Sequence, residues 1–334
     1  MSAIVSERRS VPRVRAGQPL ITAQEVILVV VIASIWVILG FTTPAFLTPG
    51  SIQPLLVAVA PIALIGVGMT CVIITAGIDV SVGAIVMVAA VTTGKFLVDT
   101  QAPLPVAVLL AMGVGALLGA LNGVLTAYGR VHAIIVTFGT ANLFQFLGLR
   151  IFDSSTVNGI PSTFEVFGRG AAGSFVGVPI SFAISVAVVL IAWWYLRNVR
   201  GGRHLYAIGG NAKAARLIGI RTQRSVLSVY VLTGALAGLA ACFVIAQGTS
   251  TLDQSVGAGL ELKVIAAVVI GGTSILGGRG SVLGTLLGAV LVQTVTSGVT
   301  QLGWPSQLSD LLVGVFIIIA VGADIARKRL RSNR

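Results

Sequence analysis

The sequence predicts an all-α polytopic membrane protein, and three observations lead to that prediction. Hydrophobic residues make up 56% of the 334-residue chain and charged residues only 10%, whereas a soluble domain carries about 25% charge. The mean hydropathy is +1.01. Several apolar stretches reach the roughly 20 residues that a helix needs to cross a bilayer. They lack the alternation that is typical of a membrane β-barrel.

Hydropathy predicts ten membrane-spanning helices. They cover roughly residues 25–42, 54–76, 81–98, 104–128, 132–152, 178–197, 225–247, 259–276, 281–301 and 308–325. The first stretch resembles a signal peptide, but it lacks a small-residue cleavage pattern and further spans follow. The third and ninth stretches are short or rich in glycine, so each is a candidate for a broken helix.

Basic residues predict the orientation, because cytoplasmic loops carry an excess of lysine and arginine. The tail 1–24, the loop 198–225 and the tail 326–334 are all basic. An even number of spans places all three on the cytoplasmic side, and the segment 153–177 then lies outside. The net charge of +12 therefore fits a membrane protein, and we expect no nucleic-acid partner.

Two pairs of short segments recur in the same order. They are Asp79–Ala84 with Asp253–Ala258, and Gly115–Ala120 with Gly284–Ala289. Each segment is matched five spans later, so a duplication would give inverted halves, about 25–177 and 178–325, as in many transporters. Coincidence in a chain rich in Gly, Ala and Val is the alternative. Together the halves form one predicted transmembrane domain, 25–325.

Asp79 stands alone in a long uncharged region, and the glycines around it predict a break between the second and third spans. One interpretation is a helix cap, with Asp79 accepting hydrogen bonds from the amides of Val82 or Gly83. The other is a polar group that lines a substrate path or forms a gate, because ionisable residues inside a membrane are costly.

Other polar residues fall within the predicted spans or their ends. As candidates for a path or gate we select, besides Asp79, the residues Ser81, Asn122, Thr137, Asn142, Gln145, Glu261, Thr273 and Ser274. Hydrogen bonding between helices is the commoner use of such residues. Glycines spaced by four predict close helix packing: Gly115, Gly119 and Gly123 on one span, and Gly280, Gly284 and Gly288 on another.

The loop GGNAKAARLIGIRTQRS, residues 209–225, predicts a short cationic helix. Asn211 is a good N-cap, and the following residues favour a helix. Gly219 suits the C-terminal end. Such a helix either lies on anionic lipid headgroups or binds a cytoplasmic partner.

The sequence offers no enzyme chemistry of its own. No G-x-x-x-x-G-K-[ST] motif occurs, and VTTGKF at Val91–Phe96 lacks the upstream glycine and the Ser/Thr after the lysine. Cys71 and Cys242 lie in apolar runs, and His132 and His204 are isolated, so we expect no metal site. Any ATP-driven role requires another subunit.

Three segments together carry a resemblance to a known family. GIDVSVGA, GNAKAARLIGI and GLELKVIAAVVIGGTSILGGRGSVLGTLLGA resemble the permease subunit of ribose-type ABC importers. That family includes permeases for ribose, xylose, arabinose, galactose, rhamnose, galactofuranose and autoinducer-2. The resemblance covers about residues 25–325 and implies a transmembrane path for a monosaccharide or related small polar solute. It also implies a fold like the vitamin B12-type (type II) importers.

The resemblance further implies partners and a location. A second permease copy or a sister permease, a cytoplasmic ABC ATPase of double length that binds ATP and Mg, and an extracytoplasmic sugar-binding protein would complete the importer. The complex would lie in the bilayer of the bacterial inner membrane. The segment matching the family's coupling helix contains Asn211, Ala214, Ala215, Arg216, Leu217 and Gly219.

One departure and two alternatives accompany this resemblance. Relatives commonly have Pro where this chain has His132, and FQFLGLR replaces their usual Arg-Gly after the next stretch, so span five could line the path differently. A permease for nucleosides or branched-chain amino acids is one alternative function. An ion-coupled secondary transporter is the other, although it would usually keep several buried ionisable residues.

Overall fold

The computed structural model describes residues 22–168, 172–247 and 251–332, and only the backbone of 323–332. Residues 1–21 and 333–334 of the predicted basic tails therefore lie outside the described residues, and the rest of the C-terminal tail is described by its backbone alone. The helices are α1 (Ala23–Thr42), α2 (Pro49–Ile74), α3 (Val82–Thr100), α4 (Leu104–Ala127), α5 (Ala133–Phe152), α6 (Ile180–Asn198), α7 (Arg200–Gly210), α8 (Ala212–Leu217), α9 (Thr222–Ile245), α10 (Leu260–Ile270), α11 (Val282–Gln301) and α12 (Gln307–Ser332).

Each predicted span overlaps one helix, and the predicted class, an all-α polytopic membrane protein, is confirmed. Within the described residues, eight helices are long and apolar enough to cross a bilayer: α1–α6, α9 and α11. The apolar part of α12, Gln307–Gly322, is shorter, and α10 has only 11 residues.

The expectation of a break in the third or ninth span was wrong. Helices α3 and α11 are continuous over 19 and 20 residues, and the short helix is instead α10, in the eighth predicted span. Gly259 immediately before α10 and Gly272 just after it have positive φ angles. These left-handed positions, which glycine adopts without steric cost, confine the helix at both ends.

Four two-residue strands form two antiparallel pairs among the described residues. Strand β1 (Val157–Asn158) pairs with β4 (Thr251–Leu252), and β2 (Ser174–Phe175) pairs with β3 (Val178–Pro179). The β1–β4 pair joins the segment after α5 to the segment after α9. It therefore lies at the opposite end of α9 from α7 and α8.

Helix α2 lies at the centre of the molecule, and it is almost wholly buried by its neighbours. It contacts α6, α9, α10 and α11. Helices α1, α4, α5 and α6 instead present large apolar side chains outward, including Phe41, Leu117, Phe138 and Ile191. Such exposure suits lipid contact, because lipid tails are as apolar as these side chains.

The predicted glycine stripes lie where helix backbones approach each other. A Cβ at Gly115 or Gly119 would overlap a backbone oxygen of α9, and a Cβ at Gly123 would lie 2.8 Å from Leu227. On α11, a Cβ at Gly284 or Gly288 would overlap a backbone oxygen at Gly271 or Ala267. Gly280 precedes α11 instead of lying in it.

Candidate functional site at two helix breaks

The first break lies between α2 and α3, and its seven-residue linker contains Asp79. The Asp79 Oδ1 atom accepts hydrogen bonds from the Ser81 amide, at 2.9 Å, and from the Ser81 hydroxyl, at 2.6 Å. The prediction that the amides of Val82 or Gly83 donate to Asp79 was wrong. Because an aspartate side chain readily binds the backbone two residues on, it closes a turn before α3 begins. We refer to residues 79–83 as the Asp79 turn.

A buried polar chain ties the Asp79 turn to α4 and α5. Asn122 Nδ2 donates to the Ser81 hydroxyl at 2.7 Å, and the Thr140 hydroxyl donates to Asn122 Oδ1 at 2.6 Å. Asp79, Ser81 and Asn122 are fully buried. Each donor and acceptor in this chain therefore matters for stability, because an unpaired buried polar group is costly.

Thr137 on α5 binds the backbone of the same linker. Its hydroxyl donates to the Ile78 carbonyl at 3.0 Å and accepts from the Val80 amide at 3.2 Å. The structure thus brings together four residues predicted as path candidates, Asp79, Ser81, Asn122 and Thr137. Among the described residues, Asp79 Oδ2 has no hydrogen-bond partner although it is buried.

Asn142 and Gln145, predicted in the same group, lie elsewhere. Both are exposed on the outer face of α5, beside the exposed rings of Phe138 and Phe146. The Asn142 Nδ2 atom donates to the Phe138 carbonyl of its own helix at 2.8 Å. This face presents amides and aromatic rings outward, away from the chain's own core.

The second break precedes α10 and repeats the hydrogen bonds of the first. Asp253 Oδ1 accepts from the Ser255 amide at 2.7 Å and from the Ser255 hydroxyl at 2.5 Å. These two hydrogen bonds hold the pKa of the exposed Asp253 below its ordinary value of 3.8, because they favour the charged carboxylate. We refer to residues 253–257 as the Asp253 turn.

The two turns meet at equivalent glycines of the repeated segments. A Cβ at Gly83 would lie 2.6 Å from the Gly257 carbonyl oxygen, and a Cβ at Gly257 would overlap the Gly83 carbonyl oxygen. The Glu261 carboxylate also packs against Gly83, at the start of α3, where the helix dipole favours a negative group. The segment SVGA, which occurs at residues 81–84 and 255–258, was the signal in the sequence for this contact, but we did not predict the contact from it.

The turn between α10 and α11 forms a junction with α2 and α7. It contains the buried candidates Thr273 and Ser274. The Gly278 amide donates to the Ile74 carbonyl at 2.9 Å. A Cβ at Gly209, near the end of α7, would overlap that same carbonyl. The ends of three helical segments are therefore in backbone contact here, next to the short helix α8.

Helix α8 has the predicted cap, with Asn211 Oδ1 accepting from the Lys213 and Ala214 amides at 3.0 Å each. Gly219 follows the helix with a φ of +85°. The side chains of Leu217 and Ile218 are 88% and 75% exposed. Helix α8 thus begins at a capped N-terminus and presents two apolar side chains at its C-terminal tip.

Other predicted members of this segment hold α8 in place. Ala215 is buried, and Arg216 Nε donates to the Thr222 hydroxyl at the start of α9, at 2.9 Å. Arg216 therefore contributes to the position of α8 relative to α9. The described chain leaves Leu217 and Ile218 exposed.

Residues 51–321 match the family described as branched-chain amino acid transport system / permease component. The chain belongs to this permease family. The permease is 37% identical to the ribose import permease of Escherichia coli (strain K12) over 86% of this chain and 89% of that one. It is 34% identical to the D-allose transport system permease of the same strain, over 88% and 89%.

A further relative of the permease comes from another organism. The fructose import permease of Rhizobium meliloti is 33% identical over 90% of this chain and 83% of its own. No solved structure matches the permease. The similarity to these relatives therefore covers both helix breaks and the capped helix α8.

Proposed function

We propose that this chain is the transmembrane permease subunit of an ABC importer for a monosaccharide or a related small polar solute. The observation that carries the proposal is the near full-length similarity to import permeases for ribose, allose and fructose. An interior with little fixed charge suits uncharged sugars. The chain would lie in the bacterial inner membrane with both termini cytoplasmic, as the basic segments predict.

The path would run between this chain and a second permease copy or a sister permease. The outward amides of Asn142 and Gln145 and the adjacent rings of Phe138 and Phe146 support this proposal. Amides form hydrogen bonds with sugar hydroxyls, and aromatic rings pack against the C–H faces of sugars. The buried Asp79, Ser81, Asn122 and Thr137 would instead hold the break at which the two repeated segments meet.

Energy would come from a separate cytoplasmic ABC ATPase of double length that binds ATP and Mg. The apolar tip of α8 supports this proposal, because the free energy falls when a partner covers exposed leucine and isoleucine side chains. An extracytoplasmic sugar-binding protein would deliver the solute. The permease chain itself would then be no enzyme, although the assembled complex hydrolyses ATP.

Substitution of Leu217 tests this assignment in proteoliposomes that contain the permease, its ATPase and its binding protein. Burying a leucine contributes about 1.5–3 kcal/mol, so Leu217→Ser should weaken ATPase binding by about tenfold or more. ATP-driven ribose uptake should fall in parallel. Val176→Ser is the matched control, because Val176 is 86% exposed at the opposite end of the molecule. Normal uptake and ATPase binding by Leu217→Ser would remove α8 as the docking element.

Substitution of Gly209 tests whether movement of α8 would reach the helix breaks through the contact of α7 with Ile74. A Cβ in Gly209→Ala would overlap the Ile74 carbonyl, whereas one in Gly210→Ala would meet nothing within 4 Å. We expect Gly209→Ala to keep ATPase binding but lose sugar uptake, and Gly210→Ala to behave as wild type. Equal uptake by the two variants would show that the junction carries no movement.

Two alternatives make different predictions in the same assay. The family description names branched-chain amino acids, so uptake of leucine in preference to sugars would support an amino-acid permease. A secondary transporter would keep its uptake without ATP and lose it when the ion gradient collapses. We expect uptake to require ATP and to favour a monosaccharide.

A further inference from the structure

A cavity of about 410 Å³ lies between the start of α2 and the C-terminal half of α11, at the turn that joins α1 to α2. Its lining residues are Thr43, Ala45, Gly50, Ser51, Pro54, Leu55, Ala58, Gln293, Thr296, Ser297, Thr300 and Gln301. None of them belongs to the Asp79 turn, the Asp253 turn or the outward face of α5. The cavity is thus separate from every residue considered above for the path.

The lining is rich in hydroxyl and amide groups, and none of the described lining residues carries a charge. Three of its polar atoms, Thr43 Oγ1, Gln293 Oε1 and Gln301 Oε1, are buried without a hydrogen-bond partner among the described residues. Each such atom costs about 1–3 kcal/mol. Two unpaired amide oxygens, which accept, and one unpaired hydroxyl, which can donate or accept, therefore surround one cavity. They indicate that the cavity is built to receive a ligand with hydroxyl groups.

The helices that form the cavity are held firmly. Trp36 Nε1 donates to the Thr294 hydroxyl at 3.0 Å, which fixes α1 against α11 beside the cavity. Thr296 donates to Val292 and Ser51 donates to Ala45, so both hydroxyl protons are already used. Helices α1 and α2 both pack against α11, so contacts between helices set the shape of the cavity, and the unpaired polar atoms remain for a ligand.

We propose that this cavity binds a small neutral polyol, either a free monosaccharide or the sugar headgroup of a neutral glycolipid. The volume lies within the range of about 300–1,000 Å³ that ligand pockets occupy. Sugar hydroxyls donate as well as accept, so they satisfy the unpaired oxygens after small side-chain rotations. Pro54, Leu55 and Ala58 provide an apolar wall for the C–H face of a sugar. A phosphate group would find no cation in the lining.

A cysteine reporter tests the proposal on the full-length chain in nanodiscs. Both native cysteines are buried, so a small thiol reagent should label Ser297→Cys selectively, with Thr300→Cys as a second reporter at the cavity rim. D-Ribose should slow labelling by about tenfold at about ten times its dissociation constant, because the free fraction of the site falls as 1/(1 + [L]/Kd). Thr100→Cys, exposed at the end of α3, should be labelled at an unchanged rate.

Further arms separate the two sources of the polyol and place the ligand. Nanodiscs with monoglucosyldiacylglycerol, compared with phosphatidylcholine alone, report on the glycolipid. Adding Gln293→Leu to the reporter should abolish protection, whereas Gln53→Leu, on another face of α2, should not. Ribose 5-phosphate should not protect, because the cavity lacks a cation.

The outcomes distinguish this proposal from the proposed function. Absence of protection by both ribose and glycolipid at both reporters would overturn the polyol site, whatever the uptake assay shows. Equal protection by ribose 5-phosphate, or equal slowing at Thr100→Cys, would overturn it as well. If the wild-type complex showed no ATP-driven sugar uptake but ribose still protected the cysteine reporters, the importer assignment would be contradicted and the cavity would remain a polyol site.

Discussion

The Asp79 turn and the Asp253 turn share their hydrogen bonds but not their surroundings. In both, one carboxylate oxygen accepts from the amide and the hydroxyl of the serine two residues later. Asp79 is fully buried, whereas Asp253 is exposed. The sequence pattern Asp-x-Ser therefore determines the geometry of the turn, and tertiary packing determines how much the turn contributes to stability.

The difference in burial has a visible structural cause. Asn122 and Thr140, on α4 and α5, extend the hydrogen bonds of the Asp79 turn into the core. The Asp253 turn lies next to the β1–β4 pair, at the end of α9 where water would reach it in the proposed orientation. Matched substitutions in the two turns separate what the local hydrogen bonds contribute to the free energy of unfolding from what tertiary packing contributes.

Removal of the carboxylate should give the largest difference between the turns. Asp79→Ala leaves buried donors of Ser81 unpaired, so the free energy of unfolding should fall by about 3–4 kcal/mol, given about 1–3 kcal/mol for each donor. Asp253→Ala leaves the donors of Ser255 free to bind water, so the free energy of unfolding should change by less than about 0.5 kcal/mol. Denaturation by SDS in mixed micelles measures both values.

The neutral variant Asp79→Asn is the control for this prediction. Asparagine keeps an oxygen that can accept both hydrogen bonds from Ser81, so it should retain most of the stability. Normal assembly of Asp79→Asn with failed sugar uptake would indicate that Asp79 also acts as a gate. Equal losses from Asp79→Ala and Asp253→Ala would contradict the role we give to burial.

The contact between the turns should give the next largest effect. Gly257 and Gly259 both have positive φ, but only a Cβ at Gly257 meets a neighbour, the Gly83 carbonyl. A left-handed conformation costs an alanine about 1–2 kcal/mol, and both variants share this cost. Gly257→Ala should lose about 1 kcal/mol more than Gly259→Ala, because overlap with backbone forces the turns apart. Similar unfolding free energies for the two variants would mean that the turns do not depend on this contact.

The sequence predicted the local features of both regions and missed the contacts between them. The break at Asp79 and the cap at Asn211 depend on residues within a few positions, whose preferences can be read from the chain. The choice of Ser81 over Val82 as donor depends on where α3 begins. The meeting of Gly83 with Gly257, and the short length of α10, depend on how distant helices pack, which hydropathy does not encode.

Removal of the serine hydroxyl should cost less in total than Asp79→Ala or Gly257→Ala. The Ser81 hydroxyl donates to Asp79 and accepts from Asn122, so Ser81→Ala leaves a buried amide unpaired at a cost of about 1–2 kcal/mol. Ser255→Ala should cost less than about 0.5 kcal/mol in its exposed turn. A double variant with Asn122→Leu measures the coupling. If the Ser81 and Asn122 losses simply add, the hydrogen bond between them contributes nothing.

The smallest expected effect is the pH dependence of the Asp253 turn. Because the pKa of Asp253 lies below 3.8 in the folded chain, the unfolded chain binds this proton more tightly. The turn's electrostatic contribution is therefore fully present above the ordinary pKa and is lost as the pH falls through the lowered value. Ser255→Ala should return the pKa toward 3.8, and Asp253→Asn should remove the dependence.

Carbon-13 NMR of labelled aspartate carboxyls, titrated from about pH 6 to about pH 2, measures this shift directly. A wild-type midpoint at or above the ordinary value, or one that Ser255→Ala leaves unchanged, would mean that the serine does not hold the carboxylate. The change in unfolding free energy should be small, because water screens an exposed group. A small downward shift of the midpoint, with a correspondingly small change in stability, would show that these two hydrogen bonds form in the exposed turn and contribute little to its stability.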